Sequence, residues 1–81
     1  MNILRSQFIL RYKSGEEVLV NDKVLAYTDK PAIIEAILKP GTALAGDYYV
    51  EKEGGILLRF AGGNYEVWMN ARDEIELVSR S

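Results

Sequence analysis

The stretch NDKVLAYTDKPAIIEAILKPGT, residues 21–42, admits two readings that lead to different folds. Ile33, Ile34, Ile37 and Leu38 recur at helical spacing, Pro31 suits a first helical position and Asp29 is placed to cap, so a short helix over 31–39 is one reading. Against it, about eight residues between two prolines are marginal for a helix, and isoleucine is β-branched and suits a pleated surface. A strand is the stronger reading, with Ile34, Ala36 and Leu38 facing the core.

The flanks favour strands too. In SQFILRY, residues 6–12, Phe8, Leu10 and Tyr12 alternate with Gln7 and Arg11, and Ser14 and Gly15 then turn the chain toward VLV. KPGTALAGD, residues 39–47, reads as an excursion between strands. In DYYVEKEGGILLRFAGGNYEVWMNA, two glycine pairs, Gly54 with Gly55 and Gly62 with Gly63, bound ILLRFA and predict a three-stranded antiparallel meander. Alternation puts Tyr48, Val50, Ile56, Leu58, Phe60, Tyr65, Val67 and Met69 on its buried face. NARDEIELVSR adds a turn and a last strand, with Ile75 and Leu77 inward. A single domain over 1–81 follows, all-β, as a small SH3-like barrel of about six or seven short antiparallel strands. The alternative is α+β, with the helix at 31–39.

Composition narrows the chemistry. With 48% hydrophobic and 27% charged residues, the 81-residue chain is too apolar for disorder and has no run that could span a membrane as a helix. It contains no cysteine and no histidine, which removes thiolate chemistry and the commonest general base and transition-metal ligand. MNILRSQFIL lacks the continuous apolar run and cleavage site of a signal peptide, so a cytoplasmic bacterial protein is expected. Ten basic residues against twelve acidic ones, net −2, argue against phosphate-backbone binding.

Several residues together resemble a family of small uncharacterised bacterial β-barrel proteins. The matching positions are Asp22 and Val24; Lys30, Pro31, Ile33, Ile34 and Glu35; Tyr49 and Glu51; Gly54, Gly55 and Ile56; and Leu77, Val78, Ser79 and Arg80. The chain departs from the pattern at Asn21, Asp29 and Ala32, where that family has glycine, and at Tyr48, where it has tryptophan. What the resemblance implies is a β-barrel reading of residues 21–42; it implies no activity.

Sites for catalysis are weakly supported. Glu51, Glu53, Glu74 and Glu76 admit a reading as a carboxylate pair or hard-metal site, but alternating Glu and Lys on a strand is ordinarily a solvated edge. Ser6, Ser14, Ser79, Thr28 and Thr42 lie in no nucleophile elbow and have no histidine to activate them. No cofactor and no enzymatic activity are expected. An RNA- or ribosome-associated KOW-like barrel is the alternative function, although its glycines are missing. The leading expectation is a non-enzymatic protein-interaction module, with an immunity or inhibitor role as a special case. Tyr49, Leu57, Arg59 and Trp68 are its candidate binding surface, on the outer face of the meander beside Glu51 and Glu66. The competing reading has them covering a second small cluster under the amino-terminal strand or the Pro40 to Gly46 loop. A homodimer through an exposed sheet edge is a further expectation.

Overall fold

The computed structural model describes residues 8–70 and 74–80. Its elements are β1 (Lys23–Ala26), β2 (Lys30–Leu38), α1 (Ala43–Asp47), β3 (Gly55–Phe60), β4 (Tyr65–Trp68) and β5 (Ile75–Ser79). The strands form one antiparallel sheet in the order β4-β3-β2-β1-β5. The all-β expectation holds, but β4 and β5 stand at opposite edges, so the sheet is open and not a closed barrel. Ser6, Gln7 and residues 71–73, where the sequence predicts a turn, lie outside the described residues.

Residues 21–42 are mainly strand, and the helix at 31–39 is replaced by β2. The helical spacing has a structural cause. The β2–β3 register runs Ala32 to Phe60 and Ile34 to Leu58, then skips Glu35 and resumes with Ala36 to Leu57 and Ile37 to Ile56. The extra residue is a β-bulge, which reverses the faces of everything after it. Ala32, Ile34 and Ile37 therefore share one face, at spacings of two and three, while Ala36 and Leu38 join the other.

The first face carries the main core, with Ile34, Ile56 and Leu58 fully buried alongside Val24, Ala26 and Ile75. A short hairpin over 10–18 covers it, contributing buried Tyr12 and Val18. Its turn is closed by the Gly15 N–H donating to the Tyr12 carbonyl at 2.9 Å, with Gly15 at φ 105°, as the Ser14 and Gly15 reading predicts. The second face is covered at one end only. There α1 seats Ala45, with Val50 behind it, on Leu38 and Leu57.

The excursion at 39–47 thus contains a helix. Thr42 caps it, accepting from the Ala45 N–H at 3.2 Å and donating to the Lys39 carbonyl at 2.7 Å. At its other end Tyr49 N–H donates to Gly46 and Val50 N–H to Ala45, the reciprocal pair that closes a helix through a left-handed residue. That residue is Tyr49, at φ 63°. Because α1 and its exit turn occupy 43–53, the first strand expected of the meander does not form, and Gly54 is no hairpin turn.

The Gly62 and Gly63 hairpin does form, with three loop residues and not two. Phe60 N–H donates to Asn64 carbonyl at 2.8 Å and Gly63 N–H to Phe60 carbonyl at 2.9 Å, with Gly63 at φ 93°. The odd loop sets Ile56 opposite Trp68, and Leu57 opposite Val67. A two-residue turn would have set Ile56 opposite Met69. Every side chain of β4 therefore lies on the face opposite to that expected from alternation.

Candidate functional site

α1 covers one end of the second face and leaves the other half open. The register aligns Tyr65, Arg59, Ile33, Lys23 and Ser79 in one row across all five strands. Beside it Leu25 lies between Pro31 and Glu76. Lys23, Leu25, Pro31, Ile33, Arg59 and Val78 line a shallow groove here. Its floor, Leu25 and Ile33, is half-buried, whereas Val78 is 58% exposed. Val78 follows the inward-facing Leu77, so alternation along β5 places it on this face, and the register with Lys23 and Val24 shifts there.

The charges at the groove are cationic. Arg59 Nε donates to Glu35 Oε1 at 3.0 Å, with both side chains about two-fifths exposed at 42% and 40%. An ion pair this solvated contributes little to stability, so a better-placed carboxylate can take the guanidinium. Lys23 makes the second cation of the lining. An apolar floor with a cationic rim suits a ligand combining apolar side chains with a carboxylate.

The four residues singled out from the sequence are not brought together. Leu57 and Arg59 share the second face, but Leu57 is only 4% exposed, closed beneath α1 as in the competing reading. Trp68 lies on the first face and packs against the main core. Tyr49 is 95% exposed at the exit of α1, where its backbone closes the helix. Of the four, Arg59 alone lines the groove. Its other residues have β-strand alternation as their only sequence signal.

Trp68 belongs to an aromatic corner at the margin of the first face. The Tyr27 hydroxyl donates to Glu66 Oε1 at 2.7 Å and the Trp68 indole N–H to the same oxygen at 3.1 Å. The Tyr27 ring lies 5.1 Å from that of Trp68 and 6.4 Å from that of Phe60. The Glu66 carboxylate, by accepting this bond, raises the Tyr27 phenol above its ordinary range. Tyr27 and Thr28, at φ 55° and 73°, carry the chain through a left-handed connection between β1 and β2.

Asp22 is the one buried charged residue among those described, at 2% exposed. Its Oδ2 accepts from the Tyr12 hydroxyl at 2.8 Å and the Leu19 N–H at 2.9 Å, and Arg80 Nη1 stands 3.3 Å from Oδ1. Arg80 Nη2 also donates to the Glu17 carbonyl at 3.0 Å. Burial, and then the bond to Asp22, push the Tyr12 phenol well above its ordinary range. Asp22 thus ties the amino-terminal hairpin, the entry to β1 and the chain after β5 into one fully partnered knot, which reads as structural.

The other candidate groups scatter. Ser14 Oγ donates to Glu16, which lowers the pKa of that carboxyl; Thr42 caps α1; Ser79 pairs with Lys23 in the sheet. Glu51 and Glu53 sit in the turn after α1, exposed and on no strand. Among the described residues, no group of three or more acidic side chains is placed to hold a metal, and no helix is long and apolar enough to cross a membrane. No family model, curated protein or solved structure matches the chain.

Proposed function

We propose that this chain is a non-enzymatic protein-interaction module of the cytoplasm that binds an apolar, acidic segment of a partner protein along the open half of its second sheet face. The observation that carries this reading is the groove itself, where Leu25 and Ile33 form a half-buried apolar floor between Lys23 and Arg59. Sheet faces ordinarily bury such residues against another layer, and here α1 is too short to reach them. The ligand segment supplies the missing layer, with its carboxylate displacing Glu35 from Arg59.

Selection from a random peptide display library, with the whole chain as bait, tests this. Enriched peptides are expected to combine apolar residues with Asp or Glu. Their binding should fall about tenfold or more on Ile33→Glu, and on Arg59→Glu, in proteins whose circular dichroism is unchanged. No enrichment, or binding indifferent to both substitutions, would overturn the reading. An RNA mobility shift at low salt, released as salt rises, would instead favour the RNA-associated alternative.

A further inference from the structure

We infer that the aromatic corner at the β4 margin of the first face is a binding site for a guanidinium group, the head of an arginine side chain. The inference is independent of the groove, which lies on the second face, and rests on where one carboxylate is held. Both bonds that Glu66 accepts, from the Tyr27 hydroxyl at 2.7 Å and from the Trp68 indole N–H at 3.1 Å, fall on Oε1. They fix the carboxylate beside the rings without saturating it, since no described residue donates to Oε2.

The corner opens into a pocket lined by Tyr27, Phe60, Asn64 and Glu66, together with Asp29 and Lys30. Two carboxylates thus meet one ammonium there. The Tyr27 N–H donates to the Glu74 carbonyl at 3.0 Å, which brings a third acidic residue to the same turn. Tyr27 stays 41% exposed although its ring lies against those of Trp68 and Phe60. The turn that carries this ring is a costly one. Tyr27 and Thr28 both take left-handed backbone, at φ 55° and 73°, and threonine is β-branched. Strain of that kind clusters at ligand clamps.

Shape and charge choose among cations. A quaternary ammonium donates no hydrogen bond and suits a cage of rings, whereas here an exposed tyrosine stands beside carboxylate oxygens. A primary ammonium pairs with a carboxylate but has no plane to lay on a ring. A guanidinium does both: it stacks on Tyr27, offers N–H donors to Glu66 Oε2, and sheds its hydration more readily than an ammonium.

NMR titration of the isotope-labelled chain with N-acetyl-arginine amide, followed at the Trp68 indole N–H and the Tyr27 and Asn64 amides, tests the inference. Saturable shifts are expected, with a Kd on the order of millimolar, as suits one side chain at an open site. N-acetyl-lysine amide and tetramethylammonium should each bind about threefold or more weakly. Glu66→Gln keeps an acceptor for Tyr27 and Trp68 but removes the charge, and should weaken arginine binding about fivefold or more. If that variant loses its native circular dichroism, Asp29→Asn, at an exposed turn position, replaces it with the same expectation. Free arginine run alongside separates the sources: tighter binding of the blocked form assigns a peptide-borne arginine, and tighter binding of the free form the amino acid. No saturable shift by about 100 mM, equal binding of the three cations, or a folded charge-removing variant that binds as wild type does, would overturn the site.

Discussion

Alanine substitutions at the four paired glycines should separate widely in stability. A Cβ at Gly54 would lie 2.6 Å from Phe8 Cζ, 2.7 Å from the Leu38 carbonyl oxygen and 2.8 Å from Pro40 Cδ, on a backbone at φ 74°. The left-handed conformation costs a side chain about 1–2 kcal/mol and overpacking a further 1–3 kcal/mol or so. Gly54→Ala is thus expected to cost roughly 2–5 kcal/mol, a large share of the ~4–12 kcal/mol typical of a chain this long. At Gly55 the Cβ would meet the Trp68 carbonyl oxygen at 2.6 Å without a left-handed φ, so about 1–3 kcal/mol of crowding applies, borne by the β3 and β4 pair. Gly63, at φ 93° in open space, incurs only the conformational cost of about 1–2 kcal/mol. Gly62 has neither constraint, and its alanine variant should fall within about 0.5 kcal/mol of wild type. Equilibrium urea unfolding followed by the fluorescence of the single tryptophan, Trp68, gives all four values. Equal losses at Gly54 and Gly62 would refute the packing described around β3.

Three further outcomes follow from the same geometry. Ile34→Ala, at 0% exposure, should cost roughly 2–5 kcal/mol, and Ile37→Ala should also destabilise measurably, because the bulge at Glu35 returns it to the main core; a neutral Ile37→Ala in urea unfolding would argue for strict alternation. Tyr49→Gly should leave stability unchanged or raise it by up to about 1 kcal/mol by relieving the left-handed tyrosine, and a marked loss of melting temperature would show that the exposed ring packs on something. Folding raises the Tyr12 pKa above the 10.0 of a free phenol, so its contribution is fully present below that pH and declines above it, as the unfolded chain ionises and the folded one does not. Tyr12→Phe should therefore be less stable near neutrality and lose less on going above pH 10; an alkaline profile parallel to wild type would remove Tyr12 as a cause.

The strands themselves were legible because residue type announces them: Ile33 to Leu38 and Ile56 to Leu58 are β-branched or aliphatic runs bounded by Pro and Gly. What periodicity could not supply was phase. Phase is set by single inserted residues, Glu35 in β2, Val78 in β5 and the third residue of the 61–63 loop, and each insertion reverses every side chain beyond it. For that reason alone, alternation puts Trp68 on the second face while the three-residue loop puts it on the first. Leu57 failed differently, since its face was read correctly but the layer above it was not. Thr42 followed by Ala43, Leu44 and Ala45 is a cap before good helix formers, yet a helix of five residues is sustained by its seat on Leu38 and Leu57, which no local pattern reveals. Asp22 accepts locally from Leu19 N–H, but its other partners, Tyr12 and Arg80, are distant in sequence, so no local pattern announces its burial.

The proposed binding surface is tested most directly by amide NMR titration of the isotope-labelled chain with an enriched apolar, acidic peptide. The account predicts that shifts concentrate at Lys23, Leu25, Ile33, Arg59 and Val78, with Tyr12, Val18 and Ile75 on the opposite face undisturbed. Saturable shifts confined to the hairpin side of the sheet, leaving Leu25 and Ile33 unmoved, would contradict it.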